Sequence, residues 1–200
     1  VDLGNNFSLD PRFWSPEALD LHLRESSPCI DAGDPLGPPD ADGSIADLGA
    51  LPFDPAWCDE PDTYCTAKTN SQGCAPHLVF EGAPSATALD PLVIRAVDVI
   101  NQKNGLCFYG LSGPAALPFL GGTLCVQPPL RRTPPGTSAG SPPPDDCSGV
   151  LAFDFGAWLS AGTDPALVPG ASVHAQFWYR DPVDVQGVGL SDAMAFEVCP

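Results

Sequence analysis

The sequence is poor in basic residues and in long apolar runs, and each shortage excludes a class of protein. Lysine and arginine total 8 against 25 aspartates and glutamates, which gives a formal net charge of -17. Such a charge repels phosphate backbones and anionic lipids, so nucleic acid is not an expected partner. No run of about 18 apolar residues occurs, so we expect no membrane insertion. We attribute the acidic excess mainly to solubility.

Zinc-binding spacing is also absent. The eight cysteines are scattered, no Cys-x-x-Cys pair occurs, and the chain has only three histidines. Structural zinc sites need such ligands at short, clustered spacing. An even, scattered set in a loop-rich chain instead predicts disulfides formed in an oxidising compartment, and hence an extracellular or cell-surface location. Val1-Asp2-Leu3-Gly4 has neither a basic start nor an apolar stretch, so we interpret the chain as a mature product or an excised fragment.

Turn-forming residues are abundant. The 25 prolines and 20 glycines predict many turns and few helices, while 44% hydrophobic residues supply enough material for a core. We predict an all-β chain with two modules and place the boundary in the acidic, proline-rich segment 51–65. Residues 1–57 are expected to form a terminal segment. Residues 58–200 are expected to form a disulfide-stapled antiparallel β-sandwich of jelly-roll or Ig-like type.

After the boundary, short segments with the two-residue hydrophobic periodicity of β-strands recur, and they are the main evidence for the sandwich. Seven such segments suit two packed antiparallel sheets. The second segment has apolar residues at both odd and even positions, which is typical of a central strand. Asn104-Gly105 after it predicts a hairpin turn, because both residues tolerate a positive φ. The predicted strands are 77–81, 92–100, 106–111, 122–127, 150–156, 171–180 and 192–199.

Two disulfides are predicted from closeness along the chain. Cys65 and Cys74 would close a short loop, and Cys125 and Cys147 would bracket a proline-rich excursion. Each crosslink would remove about 3 kcal/mol of unfolded-state entropy.

The other four cysteines are less constrained. A bond between Cys58 and Cys199 would tie the linker to the last strand. Cys29 and Cys107 would then pair or remain free, because sequence alone does not fix connectivity.

An acidic loop is the candidate metal site. Asp40, Asp42, Ser44 and Asp47 place oxygen atoms at nearly alternate positions around Gly43, as in loops that wrap Ca²⁺. The bidentate glutamate of an EF-hand is missing. The alternative is a turn in which these aspartates accept hydrogen bonds from backbone amides.

The strand predicted at 171–180 carries the candidate recognition surface. Its alternation gives one apolar face and one face with aromatic and planar polar groups, which stack on sugars or on a neighbouring subunit. The alternative is that Trp178 covers the second face of the sandwich. The apolar face comprises Val173, Ala175, Phe177 and Tyr179, and the recognition face comprises His174, Gln176, Trp178 and Arg180.

Arg131-Arg132 is the only pair of adjacent basic residues. It either docks on an acidic patch of a neighbouring copy or forms a local salt bridge.

Support for catalysis is thin. His22, His77 and His174 are isolated in the sequence, whereas triads and metal sites need several converging groups. The segment Gly110-Leu111-Ser112-Gly113-Pro114 differs from a nucleophile elbow at its last position. We therefore do not expect an enzyme.

Several short motifs follow one another in the first quarter of the chain. They are Asp10-Pro11-x-Phe13, Leu21-x-Leu23, Ser27-Pro28-Cys29-Ile30-Asp31-Ala32-Gly33-Asp34 and Asp42-Gly43-x-x-x-Asp47-x-Gly49-Ala50. In this order they resemble the closing segment of right-handed parallel β-helix proteins of the pectate-lyase-like kind. The resemblance implies a terminal coil or cap, with further coils before Val1 in a longer parent chain.

A second set of motifs extends over about two thirds of the chain. It includes Tyr64-Cys65-Thr66-Ala67-Lys68, Asn101-Gln102-Lys103-Asn104-Gly105, Cys147-Ser148-Gly149 and Trp178-Tyr179-Arg180-Asp181-Pro182. As a set these motifs resemble the C-terminal β-sandwich module of large secreted bacterial proteins. The resemblance implies a terminal domain in anchoring, sorting or assembly.

Together these observations predict a non-catalytic structural module of a secreted or cell-surface protein, which caps, anchors or assembles subunits into an extracellular structure. The alternatives are a carbohydrate-binding or calcium-dependent adhesion module, and the tail of a polysaccharide-degrading enzyme. The expected partners are other copies or other parts of the same extracellular protein, with polysaccharide as the alternative. Ca²⁺ is the only cofactor that the sequence suggests.

Overall fold

A computed structural model describes residues 8–16, 19–24, 27–54 and 60–199. The chain divides into two compact units, Val1–Trp57 and Cys58–Pro200. This division falls at the residue where the sequence places the module boundary. Within the described residues, regular structure is almost entirely β, with antiparallel sheets and one short α-helix. No helix within the described ranges is long and apolar enough to cross a membrane.

The smaller unit contains one β-ribbon. Strands β1 (Phe13–Ser15) and β2 (Asp20–Leu23) pair antiparallel, and Leu23 is buried. The hydroxyl of the buried Ser27 donates to the Pro11 carbonyl, which fixes the chain after this ribbon. The described part of this unit shows no parallel rung, so the β-helix cap stays a prediction.

The larger unit holds the other strands and the helix. In chain order they are β3 (Asp62–Tyr64), β4 (His77–Glu81), β5 (Val93–Val99), β6 (Asn104–Gly110), β7 (Pro114–Phe119), β8 (Gly122–Val126), β9 (Arg131–Arg132), β10 (Gly136–Thr137), β11 (Gly149–Asp154), α1 (Phe155–Ser160), β12 (Ser172–Arg180) and β13 (Val188–Glu197). Each predicted strand overlaps one of these, and β3, β7, β9, β10 and α1 are additional.

Two sheets share the main core of this unit. The six-stranded sheet has the order β10-β6-β12-β13-β3, with β9 also paired to β6, and the three-stranded sheet has the order β11-β5-β4. The core joins Phe177 and Met194 of the larger sheet to Ile94 and Leu151 of the smaller one, and Phe155 of α1 packs among them. All four residues predicted on the apolar face of β12 are buried, which confirms that face. We call this side of the six-stranded sheet its inner face.

The helix α1 starts where β11 ends. Asp154 is its N-cap, and its carboxylate accepts a hydrogen bond of 2.7 Å from the Ala157 amide. Such a cap satisfies a backbone donor that the first turn leaves unpaired. Phe155 and Leu159 face the core one turn apart, so the capped turn closes one edge of it.

The predicted hairpin at Asn104-Gly105 is wrong. The chain turns at Asn101 and Gln102, where Gln102 has a φ of 53°, and then passes from the three-stranded to the six-stranded sheet. Gly105 lies inside β6, where an added Cβ would stand 2.5 Å from the Leu151 side chain. The glycine is therefore required by close packing and not by a turn.

A two-stranded hairpin lies over the opposite, outer face of the six-stranded sheet. It consists of β7 and β8, and Leu124 and Val126 of β8 form a second, small core with Phe108 of β6. Leu106 and Trp178 pack against this cluster. Side chains of β12 therefore meet the main core on one side and the hairpin on the other.

The predicted disulfide pairing is wrong, although the four cysteines are all bonded. Cys65 pairs with Cys125, and Cys74 pairs with Cys147. The Cys65–Cys125 bond links the end of β3 to β8, so it fastens the hairpin to the sheet. Partners close in sequence were favoured by the prediction, whereas the sheet order brings distant segments together.

The other cysteines differ in state. Cys29 and Cys107 are both free and buried. Cys199 is disulfide-bonded. Its predicted partner, Cys58, lies outside the described residues.

Candidate binding pocket

The outer face of β12 carries the four residues predicted as a recognition surface, but the hairpin covers half of them. Gln176 is fully buried and His174 nearly so. Trp178 is half-buried, and Arg180 is exposed. The prediction is therefore corrected: Trp178 and Arg180 remain accessible, while the other two serve the packing of the hairpin.

Gln176 attaches the hairpin to the sheet through its side-chain amide. Its Oε1 accepts from the Cys125 amide at 3.0 Å, and its Nε2 donates to the carbonyls of Thr123 at 3.0 Å and Ser191 at 2.8 Å. These bonds satisfy the amide of a fully buried side chain, where an unpaired polar group would be costly.

His174 closes the same end of the interface with Tyr64. Its Nδ1 lies 3.1 Å from the Tyr64 hydroxyl, which donates to the Cys125 carbonyl at 2.8 Å. Burial lowers the pKa of His174 and raises the pKa of Tyr64 to about 12, so neither group is charged at neutral pH. Both residues therefore serve structure at this position.

Beyond Gln176 the hairpin and the sheet separate and leave a pocket of about 270 Å³. Phe108 and Leu124 are buried and form its floor, whereas Phe119, Leu120 and Leu130 are exposed at its rim. Apart from Arg132 and the Trp178 indole, every lining side chain is hydrocarbon. The lining residues are Leu106, Phe108, Phe119, Leu120, Leu124, Leu130, Arg132 and Trp178. We call this the Trp178 pocket.

The rim of the Trp178 pocket is held by Lys68. This lysine is 8% exposed, and its Nζ donates to the carbonyls of Leu120 and Val188, each at 2.9 Å, and to the Asp184 carboxylate. The contact with Lys68 lowers the pKa of Asp184. Leu120 and Gly121 both have positive φ, as expected in the tight turn between β7 and β8. Lys68 thus fixes a turn that forms one wall of the pocket.

Sequence reasoning missed Lys68 and the pocket floor. Lys68 entered the sequence analysis only within a motif of a family resemblance. The feature that could have identified it is the rarity of lysine in this chain. Leu106 and Phe108 lie in a predicted strand, but nothing in the period showed that a hairpin would cover their face.

The adjacent arginines point in different directions. Arg131 pairs through Nε with the Asp164 carboxylate at 2.7 Å, which also accepts from the Tyr109 hydroxyl at 2.7 Å. Arg132 lines the Trp178 pocket. The local salt bridge considered for this pair is therefore present at Arg131.

In the acidic loop of the smaller unit, the aspartate carboxylates accept hydrogen bonds from backbone amides. Asp42 accepts from the Ser44 amide at 2.9 Å, and Asp40 accepts from the Asp47 amide at 2.9 Å. Asp47 in turn accepts from the amides of Asp31 and Phe53. Among the described residues, no group of three or more His, Cys, Asp or Glu side chains is placed to hold a metal ion. The loop matches the turn that we weighed against a calcium site.

The histidines considered for catalysis belong to different elements of the fold. His22 belongs to β2 of the smaller unit, while His77 and His174 belong to different sheets of the larger one. His77 Nδ1 lies 3.4 Å from the Asp98 carboxylate, and both side chains are half exposed. The Cys107 thiol lies in the main core, where burial raises its pKa and favours the unreactive thiol.

None of the family models, curated proteins or solved structures compared with this chain matches it. The two resemblances inferred from sequence motifs therefore stay predictions.

Proposed function

We propose that this chain is a non-catalytic structural module of a secreted or cell-surface protein, and that it anchors that protein by holding an apolar group in the Trp178 pocket. The larger unit would belong to the antiparallel β-sandwich class, a proposal supported by the core that its two sheets share. Two disulfides support an oxidising, extracellular setting.

The observation that carries the proposal is the hydrocarbon lining of an open pocket. Exposed apolar surface at a concave site is typical of places where a ligand or partner is held. Here the opening sits between a sheet and a hairpin that is fixed by the Cys65–Cys125 bond, by Gln176 and by Lys68. Such a wall keeps its shape without a ligand, which lowers the entropic cost of binding.

The lining also favours a binding role over a catalytic one. Among the described residues that line the pocket, Arg132 is the only charged one, and none is a His, Asp, Glu, Cys, Lys or Tyr. General acid–base chemistry needs a group that titrates near the working pH. An apolar group is favoured over a sugar because a sugar needs several hydrogen-bonding side chains, and the lining offers the Arg132 guanidinium and the Trp178 indole.

Titration with 1-decanol tests the proposal. We expect saturable binding, measured by calorimetry, at one site per chain. Leu106→Trp, which fills the pocket, should abolish binding. Leu130→Trp at the rim should weaken binding, and this variant serves as the test if Leu106→Trp folds poorly. Val79→Trp is the matched control, because Val79 is about as exposed as Leu130 but lies on the outer side of the three-stranded sheet, away from the pocket. Absent binding, or equal binding by Leu106→Trp and Val79→Trp, would contradict the proposal.

The non-catalytic part has its own test. p-Nitrophenyl decanoate presents an acyl chain that fits the pocket together with a labile ester. We expect no saturable release of nitrophenol. Hydrolysis that saturates and disappears in Leu106→Trp would overturn this part while leaving the pocket in place.

A further inference from the structure

Two arginines near the Trp178 pocket, Arg132 and Arg180, differ from the other basic residues of the larger unit. Lys68, Arg95, Lys103 and Arg131 each pair with a carboxylate. Arg132 and Arg180 pair with no carboxylate in the described part of the chain. In a protein with more than three acidic residues for each basic one, two unpaired arginines beside the same pocket are unexpected.

The two unpaired arginines occupy the same outer face. Arg132 lies opposite Phe108 in the pairing of β9 with β6, and it is exposed at the rim of the pocket. Arg180 places its guanidinium 5.2 Å from the centre of the Trp178 ring. This cation–π contact occupies Arg180 and leaves Arg132 as the charged group that meets a ligand in the pocket.

We propose that the Trp178 pocket binds an acyl carboxylate, with its hydrocarbon chain on Phe108 and Leu124 and its carboxylate on Arg132. The inference rests on the proposed function, because it names the head group and the tail of the apolar ligand. An arginine guanidinium donates two parallel N–H hydrogen bonds to a carboxylate. Net charge elsewhere on the chain repels anions, so an unpaired arginine at this mouth supplies the attraction that the surface as a whole lacks.

The pocket has room for part of a hydrocarbon chain. Its volume of about 270 Å³ lies near the lower end of the roughly 300 to 1,000 Å³ typical of ligand pockets. Because the pocket is open at its rim, a chain can extend beyond it, and we choose ten-carbon compounds as probes.

An acyl chain fits the lining better than an acidic peptide does. Leu106, Leu120 and Leu130 offer no hydrogen bonds, so the backbone amides of a bound peptide would lose their water partners without replacement. A hydrocarbon chain has no such groups to satisfy. The free carboxylate at one end is the single polar group of such a ligand, and Arg132 is the one cation among the described lining residues.

Parallel titrations with decanoate and 1-decanol at pH 7.5, below their aggregation limits, test the inference. We define the preference as the decanol Kd divided by the decanoate Kd. Arg132→Gln should lower this preference about fivefold, since an exposed ion pair is a modest contribution, while decanol still binds. Arg95→Gln is the matched control, because it makes the same charge change on the other sheet and should leave the preference unchanged.

The outcomes distinguish failure of the acyl-carboxylate proposal from failure of the proposed function. An unchanged preference in Arg132→Gln, with decanol bound normally, would overturn the acyl carboxylate and leave the apolar pocket standing. Loss of preference in Arg95→Gln as well would show a general effect of net charge and would also overturn it. Failure of both compounds to bind the unaltered protein would contradict the proposed function itself.

Discussion

The two faces of the six-stranded sheet are closed by different interactions. On the inner face, Val173, Phe177 and Tyr179 of β12 pack against the three-stranded sheet and α1 as continuous apolar contact. On the outer face, Gln176 of the same strand and Tyr64 of β3 hold the hairpin by hydrogen bonds, and Cys65–Cys125 crosslinks it. The apolar cluster between them is small.

This difference explains why the pocket lies where it does. Apolar packing closes the inner face along the whole strand, because every second side chain contributes to one core. On the outer face, individual hydrogen bonds and one disulfide hold the hairpin, and each closes the face only at its own position. Gln176 holds the hairpin at Thr123 and Cys125, Lys68 holds its turn at Leu120, and Trp178 lies beside the pocket that remains. Polar residues on the outer face thus position the hairpin, and the apolar residues next to them line the pocket.

Truncation on the inner face should have the largest effect. Phe177→Ala removes a ring that is 1% exposed, and we expect a loss of about 4 to 5 kcal/mol in the free energy of unfolding, measured in urea. Phe119→Ala at the rim of the pocket is the control and should cost less than about 1 kcal/mol. Equal losses would contradict the distinction between a closed and an open face.

Removal of the crosslink comes next. Cys65→Ala with Cys125→Ala should cost about 3 to 4 kcal/mol, because the bond closes a loop with a sequence separation of 60 residues. Decanol binding should weaken as well, since the hairpin forms the pocket wall. Cys74→Ala with Cys147→Ala is the matched control: a similar loss of stability is expected, with decanol affinity retained. Retained affinity in both double variants would show that the wall does not depend on the hairpin anchor.

A smaller effect is expected at Gln176. Gln176→Ala leaves the Cys125 amide and the Ser191 carbonyl without their partner in a buried interface, which should cost about 2 kcal/mol. Gln102→Ala removes an exposed bond to Ser141 and should cost under about 0.5 kcal/mol. A neutral Gln176→Ala would mean that the hairpin is not held by this amide.

The smallest expected effect is a pH dependence of the free energy of unfolding, which arises at Asp192 of β13 where it contacts β4. Asp192 accepts from the Leu78 amide at 2.8 Å, and burial raises the pKa of Asp192 from 3.8 to about 6. The folded state therefore favours the protonated form, so the stability that this group contributes is present below pH 4 and is lost as pH rises through 6. Asp192→Asn keeps the acceptor and removes the titration.

Unfolding in urea at pH 4 and pH 7 checks this expectation. Relative to the unaltered protein, Asp192→Asn should gain about 1 kcal/mol between the two pH values, an amount reduced for the part of the carboxyl that water reaches. The difference between variant and parent cancels the other titrating groups. A constant difference would contradict a raised pKa at Asp192.

Strand period was sufficient to predict most of the larger unit. It located the central strand β5 and the buried face of β12, because those side chains alternate in sequence as they do in space. It missed β7, where Pro114 and Pro118 read as a loop although they lie in a hairpin at the edge of the fold. Short strands such as β3 carry too few residues to show any period.

The site was harder to predict than the strands. Trp178 was identified from alternation, and Arg132 from its place in a basic pair. Their meeting with Phe108 depends on which strands pair and on the hairpin that covers them, and no local pattern encodes either. The disulfide pairing failed for the same reason, since Cys65 meets Cys125 only through the sheet order.

Methyl NMR with decanoate tests the central claim most directly. Leucine methyl groups line both the Trp178 pocket and the main core, so one titration compares the two faces of the sheet. We predict saturating shifts at Leu106, Leu124 and Leu130, with Leu92 and Leu151 of the core unmoved. Shifts confined to the core leucines, or absent from the three pocket leucines at saturating decanoate, would contradict the account.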